Sequence, residues 1–201
     1  MTENQKFSLE DNFGVIDSYE CPDFIIRCAR SGEREMVKEF VCRIHLAGSA
    51  YDEESRRHQI EDLPTDFPGL FNEDDWQRNK SWLCFDEREI LLGCVGITMH
   101  TDELYTAEVS YFFVEEYARG RGIGRKLLKH AISWTSVVSE MNNRAITSIV
   151  LLTLRKYYEI AISLYQSEGF VIYEEKQVEF YTLVLMRLQL FECTNVTSLV
   201  C

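Results

Sequence analysis

Proline is scarce in this chain, 3 in 201 residues, and glycine numbers only 10. With 46% hydrophobic and 27% charged residues, that composition excludes a collagenous or disordered polymer and leaves ample apolar material for one core. Positive charge is short as well: 21 Lys and Arg stand against 33 Asp and Glu, a net charge of −12. Such a chain is a poor ligand for nucleic acid, whose phosphates must be neutralised by Lys and Arg, and suits a cationic partner better. No apolar run reaches 18 residues, so no membrane-spanning helix is expected, and the opening MTENQK lacks a signal-peptide stretch. The expectation is a soluble, cytoplasmic protein built on one folded domain.

Metal and disulfide spacings are missing too. The seven cysteines, at 21, 28, 42, 84, 94, 193 and 201, are odd in number and form no Cys-x-x-Cys pair. Cys28, Cys42, Cys84 and Cys94 lie in apolar runs, where a free thiol packs as a small hydrophobe. His45, His58, His100 and His130 make no His-x-x-x-His pair, so no metal site is expected.

What is present reads as a polar leader (1–22), a folded domain (23–191) and a short tail (192–201). Phe24–Arg30 suggests a strand. A helix follows from Ser31 to about Gly48, with Met36, Val37, Phe40, Val41 and Ile44 on one face. The acidic stretch 51–75 suggests a short helix over about 52–61, then a loop. Ser81–Phe85 and Ile90–His100 form a hairpin around Asp86–Arg88, and Tyr105–Val114 a further strand. A helix is expected through Gly124, Leu127, Leu128, Ala131, Thr135 and Val138. Ile149–Leu154 is continuously apolar, as strands buried on both faces are. A helix over about 157–167 ends at Gly169, and Val171–Tyr173 and Phe180–Leu190 close the chain as strands. The class is α/β of mixed order.

Three of the ten glycines fall in Arg119-Gly120-Arg121-Gly122-Ile123-Gly124, between an apolar strand and an amphipathic helix. Glycines there allow a tight turn, and the helix start offers N–H groups and about half a positive charge to an anion. Arg119, Arg121, Arg125 and Lys126 reverse the local sign of an acidic protein. The pattern implies a phosphate or pyrophosphate ligand. Arg125 stands where a dinucleotide fingerprint needs its third glycine, and no Walker A string occurs.

The wider segment resembles the GNAT acetyltransferase superfamily. Val114-x-x-x-x-Arg119-x-x-Gly122-x-Gly124 with Leu127-Leu128 is similar to its acetyl-CoA signature, and Ala161-x-x-Leu164-Tyr165-x-x-x-Gly169-Phe170 to its second block. The run from Trp82 to Gly96 resembles the camello-like branch. The resemblance implies a GNAT fold: a mixed, mostly antiparallel sheet with a splayed parallel strand pair and flanking helices. It implies acetyl-CoA as co-substrate, held by backbone of Phe112, Phe113 and Val114 and by Arg119, Gly120, Arg121, Gly122, Ile123, Gly124 and Arg125. Tyr165 would protonate the leaving thiolate. Tyr158 replaces the family's frequent Asn, so it would contact CoA differently.

For the base, alternation places Glu108, Ser110 and Phe112 on one strand face. The resemblance makes Glu108 a candidate base, and the residues alone serve a cross-strand salt bridge equally well. Another family position for a glutamate is Thr153 here. The implied function is an acetyl-CoA-dependent N-acetyltransferase that moves an acetyl group to a primary amine by direct attack in a ternary complex. The alternative is an acyl-CoA-binding sensor without turnover. The acids of 52–75 favour a cationic acceptor: a polyamine, another small amine or a basic peptide. Neither nucleic acid nor membrane is expected as a partner, and the oligomeric state stays open, a dimer included.

Overall fold

The computed structural model describes residues 18–21, 23–48, 79–100, 106–142, 146–155, 158–178 and 181–190. The helix expected over 52–61, the acidic stretch and the tail lie outside them. Among the described residues one eight-stranded sheet dominates, with strands β1 (Ser18–Cys21), β2 (Phe24–Cys28), β3 (Asn79–Phe85), β4 (Leu91–His100), β5 (Thr106–Val114), β6 (Ser148–Leu154), β7 (Val171–Val178) and β8 (Tyr181–Gln189). Their spatial order is β1-β2-β3-β4-β5-β6-β8-β7. Every neighbouring pair is antiparallel except β5 and β6. Residues 18–21, which the sequence reading assigns to the leader, form β1 and pair with β2 from Ser18↔Arg27 to Cys21↔Phe24.

Alternation along the strands divides the core. Trp82 and Cys84 of β3 join Val95, Ile97, Ala107, Val109, Ile149 and Leu151 beneath helix α2 (Ile123–Asn142) and helix α3 (Glu159–Ser167). Leu83 and Phe85 face the other way, with Cys94, and meet Val37, Phe40 and Val41 of helix α1 (Arg34–Gly48). Each fully buried Leu or Ile contributes about 1.5–3 kcal/mol of hydrophobic free energy. Leu127, Leu128 and Ala131, all at 0% exposure, make α2 the helix most firmly seated on the sheet. That seating matters, because α2 is the crossover that makes β5 and β6 parallel.

The start of α1 is fixed by charge. A short 3-10 turn, Ser31–Glu33, precedes it, and the Glu33 carboxylate accepts from the Arg30 backbone N–H at 2.8 Å. Arg27 donates to the same carboxylate from both terminal guanidinium nitrogens, at 2.9 and 2.5 Å. That fork is the first cause of a lowered Glu33 pKa and a raised Arg27 pKa.

Candidate functional site

The parallel pairing of β5 with β6 covers only three positions, Thr106↔Ser148, Ala107↔Ile149 and Glu108↔Val150. Beyond Glu108 the strands part, while β5 stays bonded to β4 as far as Gly93↔Val114 and β6 stays bonded to β8. The edge of β5 that faces β6 is therefore open to a ligand strand over residues 109–114.

A bulge accompanies the separation. Gly96 pairs with Ser110 but Cys94 pairs with Phe113, so β5 carries one more residue than β4 across this interval. Tyr111 sits there with φ +48°, a conformation costly for a non-glycine residue. Its carbonyl accepts from the Cys94 thiol at 3.2 Å. The extra residue resets the alternation. Ala107, Val109, Phe112 and Val114 pack on the α2–α3 side, whereas Tyr111 and Phe113 pack on the α1 side. The expectation that Glu108, Ser110 and Phe112 share a face fails at the bulge: Phe112 has crossed to the opposite side.

The gap is a cleft of about 290 Å³, lined along β5 by Val109 to Phe113, along β6 by Leu151 to Leu154, and by Tyr158, Ala161, Tyr165 and Leu183. β6 was expected to be buried on both faces, yet Leu152 is 54% exposed. Its face lies open beside the cleft. Inside, the Ser110 Oγ is buried and lacks a hydrogen-bond partner among the described residues. A buried hydroxyl in that state is destabilising by about 1–3 kcal/mol, so a ligand offering a polar atom has something to satisfy.

At the end of β5 the chain makes the short turn Glu116–Ala118 and enters the glycine loop. Gly120 and Gly122 have φ +78° and +80°, a region L-residues avoid, and open space surrounds the place of a Cβ on each. The loop thus presents bare backbone at the start of α2, where the first helical N–H groups have no intrahelical partner. A pyrophosphate fits this cradle. Ile123 enters the core at 1% exposure, so only its backbone is available to a ligand.

The loop cations are individually held. Arg119 Nε donates to the Val114 carbonyl at 3.2 Å, and Arg121 donates to the Asp23 carbonyl at 3.1 Å. Lys126 Nζ lies 4.8 Å from the Phe24 ring centroid. Arg125 bonds Ser167 at 3.0 Å and pairs with Glu168 at 2.8 Å, tying the first turn of α2 to the end of α3. Glu115, buried just before the loop, pairs with Arg43 of α1.

The two candidate proton-transfer residues stand apart. Tyr165 lies in α3, 6% exposed, with its ring centroid 5.7 Å from Phe112 and 5.9 Å from Phe170. Burial, with a smaller contribution from Tyr158, lifts its phenol well above the ordinary tyrosine value of 10. Its proton is secure at neutral pH. Tyr158, at the N-cap of α3, shares the cleft wall. Glu108 sits at the last paired position before the strands separate, and its carboxylate meets His100 Nε2 at 2.7 Å. Thr153 is buried. Sequence reasoning missed His100, whose partnership with Glu108 depends on a cross-strand register, and gave no role to Ser110.

Cys94 is buried and burial pushes its thiol up to about 12, so it is no thiolate at neutral pH. Among the described residues no group of three or more His, Cys, Asp or Glu could hold a metal, and no helix is long and apolar enough to cross a membrane.

Comparison with known proteins gives this geometry a context. Residues 77–172 match the family model described as acetyltransferase (GNAT) domain. No curated protein matches the sequence. Among solved structures, a GNAT-family acetyltransferase from Staphylococcus aureus Mu50 superposes with TM-score 0.58 at 18% identity, over 83% of this chain and 98% of that one. A GCN5-related N-acetyltransferase from Kribbella flavida gives TM-score 0.58 at 21% identity, over 83% and 98%. A spermidine N-acetyltransferase from Vibrio cholerae, solved with CoA and spermine, gives 0.54 at 13% identity, over 84% and 96%. The fold is the GNAT fold. The camello-like likeness of Trp82–Gly96 finds no counterpart in these comparisons.

Proposed function

We propose, from the match of residues 77–172 to the GNAT acetyltransferase domain model, that the protein moves the acetyl group of acetyl-CoA to a primary amine by direct attack in a ternary complex. The observation that carries this reading is the three-residue pairing of β5 with β6, which opens a strand edge and a cleft directly ahead of the glycine loop.

The residues present fit the co-substrate. Open backbone at Gly120 and Gly122 suits the pyrophosphate, with Arg119, Arg121 and Arg125 around it. The free edge of β5 at Phe112, Phe113 and Val114 suits the amide-bearing arm, with Tyr158 on the cleft wall. Acetyl-CoA supplies an acetyl group already activated as a thioester. Glu108 takes a proton from the acceptor's ammonium, directly or through a water, so that nitrogen has a lone pair with which to attack. Backbone N–H groups on the open edge of β5 donate to the carbonyl oxygen as negative charge builds there. As the C–S bond breaks, Tyr165, on the other side of the sheet, gives its phenolic proton to the departing sulfur, and it is reprotonated from solvent while the attacking nitrogen gives up its second proton to solvent. The high pKa of the Cys94 thiol speaks against an acetyl-cysteine route and favours direct transfer.

For the acceptor we favour a positively charged amine: a di- or polyamine, or a basic peptide. The segment between α1 and β3 carries Asp52, Glu53, Glu54, Glu61, Asp62, Asp66, Glu73, Asp74 and Asp75, a density that attracts cations over a screening length of about 8 Å. A spermidine N-acetyltransferase has this fold, so the fold accommodates such an acceptor. The test is CoA release with purified protein across a panel of amines and peptides, repeated at rising salt. Expected is turnover with kcat/KM highest for diamines and falling with salt, and with joint neutralisation of Glu73, Asp74 and Asp75. A neutral arylalkylamine with higher kcat/KM and no salt dependence overturns the cationic acceptor. Absence of CoA release with every amine overturns the transferase.

A further inference from the structure

Glu108 is gripped by a residue outside the machinery described above. His100 ends β4, opposite Thr106, and Thr98 stands opposite Glu108, so His100 and Glu108 are diagonal neighbours on one sheet face. His100 Nε2 and Glu108 Oε2 are 2.7 Å apart. Because a carboxylate only accepts, the imidazole is the donor. The other charged group on this row is Arg187, reached through Glu108↔Val150↔Arg187, and its guanidinium lies 4.5 Å over the Tyr173 ring. Among the described residues His100 is therefore the side chain bonded to the Glu108 carboxylate.

Placement explains why that bond matters. Glu108 is the last residue of β5 with a β6 partner, one position before the lining of the cleft begins at Val109. It is also 41% exposed, as His100 is 43% exposed. A glutamate with three rotatable bonds and solvent beside it spreads over several rotamers, few of which aim an oxygen at the cleft. The imidazole holds Oε2 and leaves Oε1 to other partners. We infer that His100 is a positioning residue: its Nε2–H fixes the Glu108 carboxylate so that Oε1 meets the incoming ammonium. In the step it serves, an ammonium N–H bond breaks and an O–H bond forms at Oε1, while the imidazole keeps its own proton. The inference rests on Glu108 acting as the base.

The experiment compares His100→Ala, His100→Gln, Glu108→Gln and the double variant His100→Ala/Glu108→Gln in steady-state CoA release, with thermal melts beside them. His100→Ala is expected to lower kcat about 10-fold, the scale of a misplaced catalytic group, with the KM for acetyl-CoA and the melting temperature unchanged. His100→Gln, which keeps an N–H donor of similar reach, restores most of the rate. In the Glu108→Gln background His100→Ala costs nothing further. Should His100→Ala fail to fold, His100→Asn, whose donor is too short for Oε2, takes its place. Full activity in His100→Ala beside a slow Glu108→Gln overturns the inference and leaves the base in place. Equal loss in the Ala and Gln variants overturns it also, since donation would not be what matters. Full activity in Glu108→Gln removes the base itself, and an inactive wild type removes the transferase; each takes the inference with it.

Discussion

Phe112 and Tyr165 pack with ring centroids 5.7 Å apart, on the face of β5 opposite to Glu108. The bulge at Tyr111 makes this so. Without the extra residue Phe112 would share a face with Glu108, and the α3 end carrying Tyr165 would lose its contact with β5. With it, Tyr165 lines the cleft from the α3 side, while Glu108, one residue before the cleft lining begins, lies on the other face, which is the division the proposed acid and base require. That division suits a reaction in which an amine arrives protonated and a thiolate leaves.

The chemical consequence is a kinetic split. Tyr165→Phe keeps the ring contacts and removes only the hydroxyl, so kcat should fall by about 10²-fold or more, as for general acids, with acetyl-CoA affinity little changed. Burial raises the phenol above 10, so the acid role should persist at every pH below that value. Stopped-flow or steady-state CoA release at saturating acceptor checks this. An unchanged rate with chemistry limiting makes Tyr165 a packing residue.

The glycine loop should report on the co-substrate through stability. Ligand at 100 times its Kd raises stability by about 2.7 kcal/mol. Acetyl-CoA and CoA should raise the melting temperature accordingly, and NAD or ATP much less. Gly122→Val forces a branched side chain into φ +80°. A left-handed L-residue costs about 1–2 kcal/mol, so the loop should relax away from its cradle. The variant should stay folded, because nothing stands near the added Cβ, yet lose the thermal shift with CoA. A retained shift refutes the cradle.

Much of this architecture was legible in the sequence, for identifiable reasons. Leu127, Leu128 and Ala131 mark α2 by helical spacing, and Asp86–Arg88 marks the β3–β4 turn by its polarity. The splayed parallel pair came from the resemblance at Val114–Gly124 and Ala161–Phe170. The bulge was not legible, because Tyr111-Phe112-Phe113-Val114 is apolar at every position and gives no sign that alternation has been reset. Leu152 misled in the same way: an apolar side chain reads as buried, whereas here it borders a cleft. β1 was hidden by polarity, since the edge strand SYEC carries no apolar run. His100 and Glu108 meet only through the register of β4 on β5, which sequence spacing does not determine.

Gly93 offers a purely structural test. A Cβ there would lie 2.9 Å from the Phe113 carbonyl oxygen and 3.1 Å from a Leu127 methyl, where β4 passes under α2 beside β5. The carbonyl belongs to backbone and cannot swing aside. Gly93→Ala should therefore destabilise by about 1–3 kcal/mol in urea unfolding, the usual range for overpacking. If the open edge of β5 takes acetyl-CoA as proposed, the shift of that strand should also weaken acetyl-CoA binding. A neutral effect on both would mean that β5 moves freely at Phe113.

The last expectation concerns pH, which acts through buried and paired groups with shifted pKa values. His130, stacked on Trp82, has a pKa lowered from 6.5 by burial. A group with a depressed folded pKa contributes stability above its unfolded value and loses it as pH falls, because the unfolded chain binds the proton more readily. Stability should thus begin to fall below pH 6.5. Glu33, lowered from 4.5 chiefly by the Arg27 hydrogen bond, adds a second decline below that value. Tyr165 and Cys94 act in the opposite direction: both pKa values are raised, so the Cys94 contribution is complete below pH 9 and the Tyr165 contribution below pH 10, and both are lost as pH climbs further. Urea unfolding between pH 3 and 11 should show a plateau bounded on both sides. His130→Gln should flatten the stretch between pH 6.5 and 5, Glu33→Gln the stretch below 4.5, and Tyr165→Phe the part of the alkaline decline that lies above pH 10. If His130→Gln leaves the first decline unchanged, the ring is charged at no cost in the folded protein, and its burial against Trp82 does not govern its titration.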